Sequence, residues 1–139
     1  MFKFIHFFFL IAGREVHIDI KYTIMNNKVK EFREYREEMN KRLLATDNKI
    51  IKRIFNIDTI TYVDGALSKR EKEMLGLVAS MVLRCDDCVK YHLEQCFNLR
   101  LKKEQIMEVF AIANLVGGTI VIPHTRRALE FWEELENLK

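Results

Sequence analysis

The 139-residue sequence predicts an all-α fold, a bundle of about six helices, and three observations carry that prediction. One proline and five glycines leave strand-and-turn architectures little punctuation. Apolar residues recur three and four positions apart nearly everywhere after Met25. Between these runs fall turn and capping signals: Asp64-Gly65, Ser68 to Glu71, and Gly117-Gly118.

The first helix is expected from about residue 27 to 44, where Val29, Phe32, Met39 and Leu43 form an apolar stripe among charges. A shorter one follows, with Ile50, Ile51, Ile54 and Phe55 on one side and Asp47 as its cap. Ser68-Lys69-Arg70-Glu71 fits a capping box, in which hydroxyl and carboxylate each satisfy an orphan N–H at a helix start. The helix it opens is nearly all apolar from Met74 to Leu83, so it should be central and buried on most sides, with Gly76, Ala79 and Ser80 allowing close approach.

The fourth helix spans about residues 86–98, with Val89, Leu93, Cys96 and Phe97 inward. The fifth, about 102–116, carries Ile106, Val109, Phe110 and Ala113 at helical spacing and stops at Gly117-Gly118. Pro123 either opens the last helix in its first turn or kinks one begun at Thr119; Leu129, Trp132 and Leu135 face inward. Residues 25–139 therefore read as one all-helical domain. Residues 1–24, with the apolar run Phe4 to Ala12, are expected to be an over-extended start or a short targeting segment, too short to span a bilayer, with a strand or helix packed on the domain as the further alternative.

Composition narrows the function. The 23 basic and 20 acidic residues are mixed along the chain, which offers no basic stripe for phosphates, so nucleic acid is not an expected partner. Nor is a membrane expected. Three cysteines are too few for a secreted disulfide scaffold and point to a reducing, cytoplasmic setting.

The most informative spacing is Cys85-x-x-Cys88-x-x-x-His92. On a helix it sets two thiols within disulfide reach and an imidazole one turn beyond the second, where it could take a proton from Cys88. A cysteine at a helix start also feels the positive end of the helix dipole, which favours thiolate. Asp86 and Asp87 oppose it, and sequence does not rank the two effects. Zinc and core packing are the competing readings of a Cys-x-x-Cys pair. Against zinc, Cys88, His92 and Cys96 stretch over about 12 Å of one helix axis, so Cys96 reads as a small core residue. Glu73 has Leu77, Ser80 and Arg84 after it at helical spacing, so its carboxylate could lie on the buried side and reach the helix carrying His92. His124, flanked by no nucleophile or acid, reads as a packing, capping or interface residue.

Taken together, Leu67-Ser68-Lys69-Arg70-Glu71-Lys72-Glu73-Met74-Leu75, an apolar helix, Cys85-Asp86-Asp87-Cys88, His92, Glu104 to Val109 and Gly117-Gly118 resemble the alkylhydroperoxidase D-like group of the carboxymuconolactone decarboxylase family. The match covers about residues 60–135, and Glu-x(11)-Cys-x-x-Cys-x-x-x-His is its most specific part. The resemblance implies an all-helical bundle assembled as a homotrimer or hexamer. It implies that Cys88 is activated through His92 and Glu73, and that Cys85 is its disulfide partner, open to the reductant. Two departures stand out: Asp87 replaces the histidine that peroxidase members carry before the second cysteine, and Arg100 replaces a turn glycine, which suggests a modified turn. Decarboxylase members generally lack the cysteine pair.

The expected function is thus a thiol-dependent oxidoreductase that takes a peroxide or disulfide substrate, uses a dithiol reductant (protein or small molecule) and needs no bound cofactor or metal. The alternatives are a decarboxylase-like lyase and a non-catalytic helical assembly protein with redox-sensitive cysteines.

Overall fold

The computed structural model describes residues 10–11, 14–15 and 28–138; the rest of residues 1–24, expected to be an over-extended start or targeting segment, lies outside the described residues. Leu10–Ile11 (β1) and Arg14–Glu15 (β2) pair antiparallel, and six α-helices follow. These are α1 (Lys28–Ala45), α2 (Lys49–Thr61), α3 (Lys69–Val82), α4 (Asp86–Asn98), α5 (Lys103–Gly117) and α6 (Ile122–Asn137), with a 3-10 turn at Thr119–Val121 before α6. The fold is an all-α bundle. None of the described helices is long and apolar enough to cross a membrane.

The core lies where four periodic stripes meet. Leu77 and Met81 of α3, Val89, Leu93 and Cys96 of α4, Ile106, Phe110 and Ala113 of α5, and Phe131, Trp132 and Leu135 of α6 are all buried. Cys96 is fully buried, the small core residue the sequence suggested. α3 packs on α4 and α5, and α4 packs on α6. Burying such side chains contributes about 1.5–3 kcal/mol each, which is why tertiary packing rather than propensity holds these helices.

Local chemistry sets the helix ends. Ser68 Oγ accepts from the Glu71 N–H at 3.3 Å while Glu71 Oε2 accepts from the Ser68 N–H at 2.6 Å, the expected capping box. These bonds to Ser68 hold the exposed Glu71 carboxyl below its usual range. α2 is capped by Asn48 rather than Asp47, since the Asn48 amide oxygen accepts from Ile50 and Ile51 N–H. Pro123 sits in the first turn of α6, where its missing N–H costs nothing.

Three expectations need correction. α3 is not buried on most sides: Leu75 and Leu83 are 58% and 76% exposed, because α4 and α5 cover only the face with Glu73, Leu77, Ser80 and Met81. The α1 stripe leaves the core after Phe32, with Leu43 exposed, and α2 buries none of its residues. Arg100 does not alter its turn: it takes the left-handed conformation itself, φ 59°, while Leu101 N–H bonds Cys96 O and Arg100 N–H bonds Phe97 O.

Candidate active site

The turn between α3 and α4 builds the site. Arg84, at φ 60°, ends α3 with the same double bond pattern, Cys85 N–H to Ser80 O and Arg84 N–H to Met81 O, both at 3.0 Å. Cys85 thus closes one helix and caps the next. Its backbone is extended, and Cys85 Sγ accepts from the Cys88 N–H at 3.4 Å. The helix-start geometry brings Cys85 and Cys88 to a Cα separation of 5.3 Å, and the two are joined as a disulfide. Cys88 is the exposed member and Cys85 is half-buried, the reverse of the order the resemblance implied. The cause is local: the N-cap folds the Cys85 side chain back over the first turn, whereas Cys88 projects from it.

An acid–base contact joins α3 to α4. Glu73, in the second turn of α3, is fully buried, and its Oε2 lies 2.8 Å from His92 Nδ1 on α4. An Nδ1–H donated to the carboxylate leaves Nε2 with its lone pair free, the tautomer a base needs. His92 is one turn below Cys88 on the same helix, within the i, i+4 neighbour distance of about 5–6 Å. Glu73 Oε1 has no hydrogen-bond partner among the described residues. A fully buried carboxylate given one donor is expensive to keep, and such groups concentrate at working sites.

Tyrosines complete the enclosure, and the sequence reading missed them. The rings of Tyr62 and Tyr91 lie 5.3 and 5.2 Å from that of His92, centroid to centroid. Both phenols are pushed above their ordinary pKa, first by burial and then by the negative charge of Glu73. Arg36 of α1 stacks over Tyr91 at 4.2 Å. Gly76 is the signal that could have revealed this packing. A Cβ there would lie 2.6 Å from His92 Cε1 and 2.7 Å from the Tyr62 hydroxyl. Its smallness therefore serves two side chains at the site as well as close helix approach. Cys96 stays outside the chemistry: burial, then Glu73, pushes its thiol up to about 12.

The two acids between the cysteines are both paired. Lys90 Nζ lies 3.1 Å from Asp87. Asp86 accepts from Arg127 Nε at 2.9 Å and lies 2.6 Å from His124 Nδ1, both on α6. His124 is therefore flanked by an acid after all, one that lies 38 positions earlier in the chain. No cluster of three or more His, Cys, Asp or Glu among the described residues could hold a metal ion.

Comparisons with known proteins bear on the family and the fold. A Thermotoga maritima protein, of the carboxymuconolactone decarboxylase family and with a suggested part in the antioxidative response, is 47% identical. Its crystal structure superposes with a TM-score of 0.75 over 78% of this chain and 92% of its own. A Legionella pneumophila protein of the same family, 21% identical, shares the fold at a TM-score of 0.54, over 84% of this chain and 96% of its own. An uncharacterised Cupriavidus necator protein is 33% identical over 52% of this chain; the chain spans 64% of that relative's length. The family profile matches residues 49–131, from the start of α2 to the last turns of α6, and the chain belongs to the carboxymuconolactone decarboxylase family.

Proposed function

We propose that this chain is a thiol-dependent oxidoreductase in which the Cys85–Cys88 pair cycles between dithiol and disulfide. The observation that supports the reading is the buried Glu73–His92 contact, with His92 four residues after Cys88 on the helix that begins at the joined cysteine pair. In the reduced state, His92 Nε2 takes the proton of Cys88, and the exposed Cys88 thiolate attacks a peroxide oxygen. One alcohol or water leaves with a proton, and a sulfenic acid remains on Cys88. The Cys85 thiol displaces it, releasing water and forming the disulfide. An external dithiol then passes two electrons and two protons to the pair and becomes a disulfide itself. A disulfide substrate would enter at the same exposed sulfur through a mixed disulfide. No organic cofactor is needed for these steps, and a cytoplasmic setting suits a pair that must be re-reduced.

Assembly belongs to the same reading. Leu75 and Leu83 of α3, and Ile50, Ile54, Ile57 and Ile60 of α2, are all more than half exposed. These faces support a homotrimer or hexamer that covers them.

Peroxide consumption with dithiothreitol as donor tests the catalytic part. Cys88→Ser should abolish turnover, Cys85→Ser should leave Cys88 oxidised by peroxide without the internal disulfide, and Glu73→Gln should lower the rate by about 10²-fold, the scale of a lost general base. Peroxide turnover surviving both cysteine variants would refute the redox reading. Light scattering of the purified chain tests the assembly, and a monomer would refute it.

A further inference from the structure

Asp86 is the first residue of α4 and lies between the two cysteines in the chain, so a negative charge there opposes thiolate at this helix start. Asp87, 69% exposed at its side chain, is met within its own helix by Lys90, and water screens both. Asp86 is treated differently. It is met from another helix, α6, by a fork: Arg127 Nε to Oδ2 at 2.9 Å and Nη2 to Oδ1 at 3.4 Å. The same Oδ1 lies 2.6 Å from His124 Nδ1, and Arg127 Nη2 lies 3.0 Å from that nitrogen. His124 is 15% exposed at its side chain, so this end of the contact is sheltered.

We infer that Arg127 and His124 form a clamp on Asp86 that sets the thiol–disulfide equilibrium of the Cys85–Cys88 pair, with Arg127 as the positioning residue that offsets the Asp86 charge. This deepens the proposed redox function and rests on it. Burial pushes the Asp86 carboxyl up, but the hydrogen bonds from His124 and Arg127 outweigh it and hold the group below its ordinary value. Asp86 is therefore ionised wherever the thiols titrate, and what varies its effect is the cation opposite. With Arg127 in place the helix start stays favourable for a thiolate. Without it, the uncompensated carboxylate disfavours thiolate, and the disulfide becomes the preferred form.

The clamp makes a signed prediction. In glutathione buffers at pH 8, two glutathione thiols reduce the disulfide to two cysteine thiols and become glutathione disulfide. The equilibrium constant for that reduction should fall about fivefold in Arg127→Gln, or about 20 mV at 29.6 mV per tenfold. The lower of the two thiol pKa values, read from thiolate absorbance, should rise. Arg127→Lys should recover most of the effect, and Asp86→Asn combined with Arg127→Gln should return to wild type. A helix-docking role alone would lower the unfolding midpoint of Arg127→Gln and leave both redox readouts where they were. Constants equal within twofold in all four proteins would overturn the clamp while leaving the redox pair standing. A wild-type pair that glutathione neither reduces nor re-forms would overturn the redox reading and the clamp with it.

Discussion

Gly76→Ala offers a test in which two effects of known sign oppose each other. In an exposed helix interior this replacement gains about 1 kcal/mol, because alanine loses less backbone entropy. At position 76 the new methyl would lie 2.6 Å from His92 Cε1, 2.9 Å from His92 Nδ1 and 2.7 Å from the Tyr62 hydroxyl. Tyr62 follows the last turn of α2 and can swing aside. His92 cannot, since Nδ1 is held 2.8 Å from Glu73 Oε2. To reach an ordinary contact of 3.4 Å the ring must retreat by about 0.8 Å, which spoils that bond. Losing a hydrogen bond to a charged group costs about 1.5–3 kcal/mol, and here it would strand a fully buried carboxylate whose other oxygen already lacks a partner. The cost exceeds the propensity gain.

The expected outcome is net destabilisation of about 1–3 kcal/mol in urea titration. Peroxide oxidation of the reduced pair should also slow by about 10²-fold, because the misplaced imidazole no longer serves Cys88. The two readouts must move together. A Gly76→Ala protein that gains about 1 kcal/mol and oxidises at the wild-type rate would show that neither the packing around His92 nor its role has been read correctly.

Arg100→Gly should stabilise the chain by about 0.5–1 kcal/mol, because φ of 59° suits glycine and strains arginine; an unchanged midpoint in urea would contradict it. Cys96, buried with its thiol pushed up to about 12, should resist iodoacetamide at pH 8 in the folded, reduced protein while the other two cysteines react, as peptide mass mapping will show. Glu134 concerns pH. Burial raises its carboxyl pKa despite the 2.8 Å bond from the Val29 N–H. The native state thus holds a proton that the unfolded state has released. The stability it lends is present below the unfolded value, about 4.3, and is lost as pH rises through the higher folded one. Glu134→Gln should flatten the decline in stability as pH rises above about 4.3, and an unaltered slope would count against the assignment.

Much of this architecture was legible in the sequence because it rests on local rules. Ile106, Val109, Phe110 and Ala113 announce their face by spacing alone, and all four are buried. Ser68 and Glu71 need only three residues of context to cap α3. Even the Glu73–His92 contact could be anticipated, since it follows from which face each helix buries. What escaped depends on partners distant in the chain. Asp47 and Asn48 are both able caps, and only backbone direction selects Asn48. Asp86 reads as a lone negative charge until α6 brings His124 and Arg127 to it from 38 and 41 residues away. Amphipathic spacing shows that α2 has an apolar side but not what covers it.

Assembly and chemistry meet at α2. α2 buries none of its own residues, so its place on the bundle depends on what surrounds it. Yet Tyr62, which caps its C-terminal end, presses against His92. Lys72 holds that end by donating to Thr61 O and Val63 O, at 2.9 and 2.8 Å, from one turn before Gly76. A cation on the terminal carbonyls of a helix holds that end of it. Covering Ile50, Ile54 and Ile57 with a second copy would fix the axis as well, and with it the distance between the Tyr62 ring and the imidazole. Ile54→Glu, placed far from the sulfurs, should therefore weaken assembly and also broaden the range of oxidation rates at Cys88. If the variant is monomeric with wild-type peroxide kinetics, Tyr62 is held by Lys72 alone and the site owes nothing to the assembly.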